Sequence, residues 1–342
     1  MGRKNKKYKK SLHQQAYERL VGMQHFGESK KDAVVDGTAD GKIFSYNTYI
    51  TYWKHVKYFI RWIEKNYPEC STLKSAKKHM NEWLQSRVDA GLSAWTIQTE
   101  TAALCKLYQI KKDDPNRFEP PKRCRKDIKR SRLLVERDKH FSVTNNQELI
   151  NFCRGTGLRR AGLLSIKGRD LLTRSFMEEE ITRIESIPYS SRSVEDNMLL
   201  NIYTDTRYFD KKEQKYFIKV KEKGGRLRIA PIVGDNVENI VNRFKNTEPD
   251  AHVWQYVNTN ADIHSYRADY ASYIYQSYAR SVSQIPFDKI NKGTGRSYQS
   301  DVYTCRKDEA GKKMDRHAML MASKALGHNR IEVVANNYIR GL

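Results

Sequence analysis

The stretch KKEQKYFIKVKEKGGRLRIAPIV, residues 211–233, decides the fold class. Tyr216 to Val220 and Leu227 to Val233 are rich in β-branched and aromatic or aliphatic residues, and Gly224–Gly225 lies between them. A glycine pair accepts the positive φ of a tight hairpin turn, so the stretch predicts two antiparallel strands. Elsewhere the apolar residues recur at helical spacing. The expected fold is therefore mainly α with a small antiparallel β-sheet: an all-helical domain followed by an α+β domain.

Upstream of the hairpin, TYITYWKHVKYFIRWIEKNY (residues 48–67) puts Tyr49, Trp53, Val56, Phe59, Ile60 and Ile63 on one helical face, with cations between the aromatics. A second helix is expected from Leu73 to Ala90, ending near Gly91, and a third behind Ser93 as N-cap. Residues 45–114 thus form a helical domain. Before it, residues 1–44 hold a lysine-rich tail, a short helix from about Leu12 to Met23, and a polar linker, FGESKKDAVVDGTADGK. After it, residues 115–140 form a basic linker, where Pro115, Pro120 and Pro121 break any helix. Residues 141–342 form the second domain. Its first helix is expected behind a Thr144–Gln147 capping box and to stop at Gly155. Further helices are expected near Asn236–Phe244, Asp262–Arg280 and Asp315–Leu326, with a last short one capped by Asn329.

The formal net charge is +23. Charge of that size repels itself unless a polyanion meets it, so nucleic acid is the first expected partner and an anionic membrane surface the second. No apolar run is long enough to span a bilayer, and MGRKNKKYKK lacks the apolar core of a secretory signal. Five scattered cysteines without a CxxC pair suit free thiols and argue against zinc. DNA-contacting candidates are Lys57 and Arg61 in the aromatic helix, and Arg123, Arg125, Lys126, Lys129, Arg130 and Arg132 in the linker.

Five weak signals follow one another in the second domain. GTGLRRAGLLSIKGRDL places Arg159 where a glycine turn enters a helix, a position that favours an oxyanion. Lys223 leads the hairpin turn, within reach of other cations that lower a lysine pKa. HSYRADYA sets His264 and Arg267 on one helix face, behind Asp262 as N-cap. ALGHNRIEVVANNY brings His328 and then Tyr338. Each alone has a bland reading: a solvated arginine, a soluble hairpin tip, a surface pair, a core tyrosine.

Their order resembles the tyrosine recombinase (phage integrase) family, of the mobile-element integrase or transposase type. Thr156, Gly157, Leu158, Arg159, Leu163 and Asp170 resemble its first box, KGGRLRIAP its lysine hairpin, HSYRADYA its second box, and ALGHNRIEVVANNY its last. The resemblance implies a site-specific DNA recombinase. Arg159, Lys223, His264, Arg267 and His328 would surround one scissile phosphate, and Tyr338 would attack it to form a 3′-phosphotyrosyl link. It implies no cofactor or metal, and as partner double-stranded DNA with inverted-repeat sites. Four protomers would assemble on synapsed DNA. From the chain's end only four residues after Tyr338, a monomer in solution is expected. A cytoplasmic, nucleoid-associated bacterial location is also expected.

Besides that short end after Tyr338, the sequence departs from the family pattern in three further places. Gly162 stands where an acidic residue is usual three positions after the first arginine. Tyr338 follows His328 by ten residues, one more than usual, and one helical residue turns a side chain by about 100°. The interval from Arg267 to His328 is long, so residues 283–313 read as inserted, and Arg306 within them is a rival second arginine. Two alternatives stay open: a type IB topoisomerase-like strand transferase, which shares the chemistry, and a catalytically inactive DNA-binding regulator, for which Gly162 speaks.

Overall fold

The computed structural model describes residues 10–124, 140–205, 209–211, 213–221, 227–285, 301–306, 309–328 and 330–339. The chain divides into two compact units, Met1–Asp127 and Ile128–Leu342.

Among the described residues, the first unit holds six α-helices: α1 (Leu12–Val21), α2 (Lys30–Val35), α3 (Tyr46–Asn66), α4 (Leu73–Lys77), α5 (Met80–Asp89) and α6 (Ala94–Tyr108). Serine or threonine opens five of them. The side chains of Ser11, Ser29, Ser45, Thr72 and Ser93 each accept the backbone N–H three residues on, which satisfies an orphan donor of the first turn. α3 buries Tyr49, Val56, Phe59, Ile60 and Ile63 against Leu20 of α1, Trp83 and Leu84 of α5, and Leu104 and Leu107 of α6. Each large apolar side chain taken out of water contributes roughly 1.5–3 kcal/mol.

Two expectations for this unit need correction. The linker contains α2, because Ser29 caps it and Ala33 is buried. The helix expected from Leu73 to Ala90 is two helices. At the break, Lys78 and His79 donate to carbonyls three residues back, Ser75 and Ala76, and His79 leaves helical geometry at φ −96°, ψ 6°. The stop before Gly91 is as expected, with that glycine at φ +69° just past the cap.

A carboxylate is buried here. Glu100 of α6 is fully inaccessible and takes a two-pronged grip from Arg87, Nε to Oε2 at 3.2 Å and Nη2 to Oε1 at 3.1 Å. His55 Nδ1 lies 3.4 Å from the same carboxylate. Burial pushes the Glu100 pKa up, but His55 and Arg87 together outweigh it and hold the group below its ordinary value.

The second unit begins with α7 (Gln147–Thr156) and α8 (Arg160–Ser165), then β1 (Leu171–Thr173), α9 (Arg174–Ser186), α10 (Val194–Tyr203), β2 (Tyr216–Lys221) and β3 (Leu227–Pro231). It continues with α11 (Val237–Lys245), α12 (Ile263–Tyr278), β4 (Val302–Thr304), β5 (Lys313–Asp315), α13 (Arg316–Leu326) and α14 (Ile331–Asn337). The fold is mainly helical with small antiparallel sheets. β1, β2 and β3 form one sheet in that order, with Leu171 opposite Ile218 and Lys219 opposite Ile229; β4 and β5 form a separate hairpin.

The strand period of two sorts the sheet's side chains between two cores. Phe217 and Ile229 join a cluster with α9, α10, α12, α13 and α14. Ile218 and Ala230 join another with α7, α8 and α11. α12 reaches both: Tyr266 lies in the second cluster and Tyr270 in the first, each fully buried.

The capping box expected at Thr144 is not formed. Thr144–Asn146 is a single 3-10 turn, and α7 starts at Gln147 without a side-chain cap. Ser142 does the work instead, its Oγ accepting from the Asn145 N–H at 3.2 Å. α7 runs on through Gly155 to Thr156 and stops at Gly157, φ +59°. Gly155 has no room for a side chain: an added Cβ would come within 2.3 Å of Ile240 Cδ1. The connection from β1 to β2 was not anticipated. Antiparallel neighbours need only a two-residue turn, yet this connection carries α9 and α10, which bury Met177, Ile181, Ile184, Ile202 and Tyr203. The turn residues 222–226, Asn329 and the lysine-rich tail through residue 9 lie outside the described residues.

Candidate active site

Three turns of the chain present the candidate side chains. In the first, α7 ends at Gly157 and the chain passes through Leu158 to Arg159, the extended N-cap residue of α8 at φ −79°, ψ 161°. In the second, Asp262 caps α12 by accepting the Ser265 N–H at 3.1 Å, as expected, so His264 lies in the first turn and Arg267 one turn further along the same face. In the third, α13 ends at Gly327, φ +71°, and His328 follows with its N–H on the Ser323 carbonyl at 2.8 Å. α14 then carries the chain to its own C-cap residue, Tyr338.

The second and third of these meet around the Tyr338 hydroxyl. Arg267 Nε lies 3.4 Å from it and His328 Nε2 3.3 Å from it. The His264 ring centroid is 5.2 Å from the Tyr338 ring, and the Arg267 guanidinium 5.7 Å from it. Tyr338 is only 6% exposed. It anchors the last helix in the core while presenting its hydroxyl to this cluster.

Arg267 is 1% exposed. A buried guanidinium is tolerated only when its donors are used, and Arg267 uses them on carbonyls: Nη1 on Gly157 and Nη2 on Leu326 at 2.5 Å. Burial first, then the neighbouring Arg228, lowers its pKa to about 10; Arg159 acts in the same direction and Tyr338 opposes. His264 is shifted down from its ordinary 6.5, mainly by partial burial of its ring, next by Arg267, and also by Arg159, with Asp262 opposing. The lowered pKa favours the neutral ring, and its residue surface remains exposed, so it is open to a ligand.

The structure therefore brings His264, Arg267, His328 and Tyr338 together, with the half-buried Arg159 close enough for its charge to act on both His264 and Arg267. Lys223 lies outside the described residues. Arg306, the rival to Arg267, is exposed beyond β4. The ten-residue interval from His328 to Tyr338 is accommodated, since the two groups are in contact. At Gly162 an added Cβ would meet Leu158 Cδ2 at 3.3 Å and Val220 Cγ1 at 3.9 Å. That position faces an apolar cluster, where a carboxylate would be costly to bury.

One charged residue at this site was not picked out from the sequence. Arg228 sits in β3, 4% exposed, and donates from Nη1 to the Ala325 carbonyl at 2.6 Å. The available signal was an arginine inside the apolar run LRIAPIV, where a strand offers it no water.

Among the described residues, no group of three or more His, Cys, Asp or Glu is placed to hold a metal ion, and no helix is long and apolar enough to cross a membrane. In the first unit, Arg61 is exposed and Lys57 half-buried on α3, with Lys57 Nζ 5.5 Å from the Trp53 ring centroid. Arg123 is exposed, its guanidinium 5.9 Å from the Trp95 ring. Arg125, Lys126, Lys129, Arg130 and Arg132 lie outside the described residues.

Comparison with known proteins bears on the first unit. Residues 41–114 match the phage integrase, N-terminal SAM-like domain. That match takes in α3 to α6; Lys57 and Arg61 lie on α3. Among solved structures, the chain is similar to the XerH site-specific recombinase in a post-cleavage complex with its palindromic difH substrate, at 14% identity and a TM-score of 0.44, over 90% of this chain and 80% of that one. No curated protein matches the chain.

Proposed function

We propose that the protein is a site-specific DNA recombinase of the tyrosine type, and that Tyr338 is its nucleophile. The observation that carries the reading is the Tyr338 hydroxyl held between Arg267 Nε and His328 Nε2, with His264 beside the ring. Phenol is a weak nucleophile while protonated. A neutral His264 is suited to accept its proton, and its lowered pKa keeps it neutral at the working pH. Arg159 and Arg267 bear on the two non-bridging oxygens of a phosphodiester, where charge grows in the transition state. The tyrosine oxygen bonds to phosphorus, the bond to the 5′-oxygen breaks, and that oxygen leaves with a proton from Lys223. A 5′-hydroxyl of another strand reverses the steps. The phosphoester bond energy is kept throughout, so exchange requires no ATP.

The partner is double-stranded DNA, which the +23 charge, the aromatic and basic face of α3, and the phage integrase domain match all favour. The site would be an inverted repeat, with four protomers on two synapsed duplexes and a monomer free in solution. The test is a nicked suicide duplex in which the cleaved strand loses its short 5′-hydroxyl fragment. An SDS-stable protein–DNA adduct is expected, and it should vanish in Tyr338→Phe. An adduct that persists in Tyr338→Phe removes Tyr338 as nucleophile. No adduct across a library of duplexes removes the strand-transfer reading.

A further inference from the structure

The last turn of α13 is held by two arginines from different elements. Arg228 of β3 donates to the carbonyl of Ala325, and Arg267 of α12 donates to the next one, Leu326. Both guanidiniums are almost fully buried, at 4% and 1% exposure. The carbonyls at a helix C-terminus carry the negative end of its dipole, so this is where a buried cation is least costly. The turn they hold leads through Gly327 into His328, whose imidazole touches the Tyr338 hydroxyl. Arg228 thus lies one bonded carbonyl and three residues from the reacting centre. Its charge also reaches that centre, since after burial it is the largest influence on the Arg267 pKa.

Two like charges buried side by side cost stability, and an apolar side chain would fill the same strand position more cheaply. Relief comes when an anion enters. We infer that Arg228 is a positioning residue for the strand-transfer chemistry, fixing the α13 turn that carries His328 and adding a permanent positive charge behind Tyr338 and the phosphate. The inference rests on the recombinase reading above. A fixed positive charge favours phenolate and the doubly charged phosphorane-like transition state alike.

The experiment compares Arg228→Gln, which keeps a polar amide on a shorter side chain but loses the charge, with Arg228→Lys, which keeps the charge. Single-turnover adduct formation on the suicide duplex is followed from pH 6 to pH 10, with binding of the intact duplex and thermal melting measured alongside. Arg228→Gln is expected to slow adduct formation about 10- to 100-fold, the span for losing one charged hydrogen-bonding group. It should also move the midpoint of the pH–rate curve up by about one unit, as removal of a nearby favourable charge does. Arg228→Lys should keep the wild-type midpoint and recover most of the rate. Duplex binding should change by no more than about threefold in either, since neither variant alters a surface phosphate contact. A midpoint that stays put in Arg228→Gln, whether the rate is unchanged or falls only with the melting temperature, makes Arg228 a structural strut and overturns the inference alone. If the wild-type protein forms no adduct, the recombinase reading fails and this inference falls with it.

Discussion

Gly157 joins the backbone of the site to its chemistry, and Gly157→Ala measures how tightly. The glycine sits at φ +59°, and its carbonyl accepts from Arg267. Two terms add on substitution. Left-handed backbone costs an L-residue about 1–2 kcal/mol. The new Cβ would lie 2.3 Å from Tyr270 Cδ1, 2.7 Å from Cε1 and 2.8 Å from Cγ, inside contact distance of a whole ring edge. That ring cannot swing away, because Tyr270 is fully buried and its hydroxyl is tied to the Pro231 carbonyl at 2.8 Å. Overpacking a core adds about 1–3 kcal/mol. The sum, about 2–5 kcal/mol, is a large share of the roughly 5–15 kcal/mol that holds a typical protein folded. Gly91→Ala isolates the backbone term: Gly91 sits at φ +69° with nothing within 4 Å of an added Cβ. Urea denaturation of each variant, read from the transition of the unit that contains it, gives the two costs. Gly157→Ala should cost at least about 1 kcal/mol more than Gly91→Ala, the lower end of the overpacking term, and should slow adduct formation in the protein that remains folded. Equal costs would refute the steric argument and with it the rigidity of the Gly157–Tyr270–Arg267 contact.

Three further outcomes follow from particular side chains. His264 has a folded-state pKa below 6.5, so its contribution to stability is complete above 6.5 and is lost as pH falls from there through the folded pKa; the rate of adduct formation should fall across the same range, and His264→Gln should remove that acid limb, which a pH–rate series checks. Arg306→Ala should leave adduct formation within about threefold of wild type, as surface substitutions do, whereas Arg267→Ala should reduce it about 100-fold or more, as loss of a transition-state donor does; the reverse result in the suicide assay would transfer the second-arginine role to Arg306. Glu100→Gln leaves Arg87 and His55 facing a neutral amide in the core of the first unit, and calorimetry should show that unit destabilised by about 1–3 kcal/mol; because the Glu100 pKa is lowered, the difference should be present above the ordinary carboxylate range and shrink as pH falls through it.

The local features of the site were legible because each is written in adjacent residues. Gly157 before Arg159, Asp262 before His264, and Gly327 before His328 are helix stops and starts, set by backbone preferences that a short segment carries by itself. The α3 stripe and the strand pair around Gly224–Gly225 were readable for the same reason: burial on one face imposes a period of 3.6 or 2 on the sequence. What failed was finer or less periodic. The break between α4 and α5 is a matter of three-residue hydrogen bonds at Lys78 and His79. The Thr144 cap lost to Ser142, because two hydroxyls competed for neighbouring orphan amides. α9 carries charges through much of its length, including Glu178, Glu179 and Glu180, so its buried Met177, Ile181 and Ile184 stand out only once a sheet is there to receive them.

By itself the sequence determined the helical first unit, the β2–β3 pair, the turns that present Arg159, His264 and His328, and the basic charge that calls for a polyanion. The tertiary structure alone decided which of many candidates meet. Twenty-one tyrosines and 63 lysines and arginines are equivalent in a list. Packing of α12 against α13 and α14 makes Tyr338 the one held by Arg267 and His328, buries Arg267 and leaves Arg306 in water, and brings in Arg228 from a strand some forty residues before Arg267 in the chain. The physical reason is range. Turn and helix signals act over a few residues, whereas a buried guanidinium is selected by carbonyls and a phenol that only the folded core places within 3.5 Å.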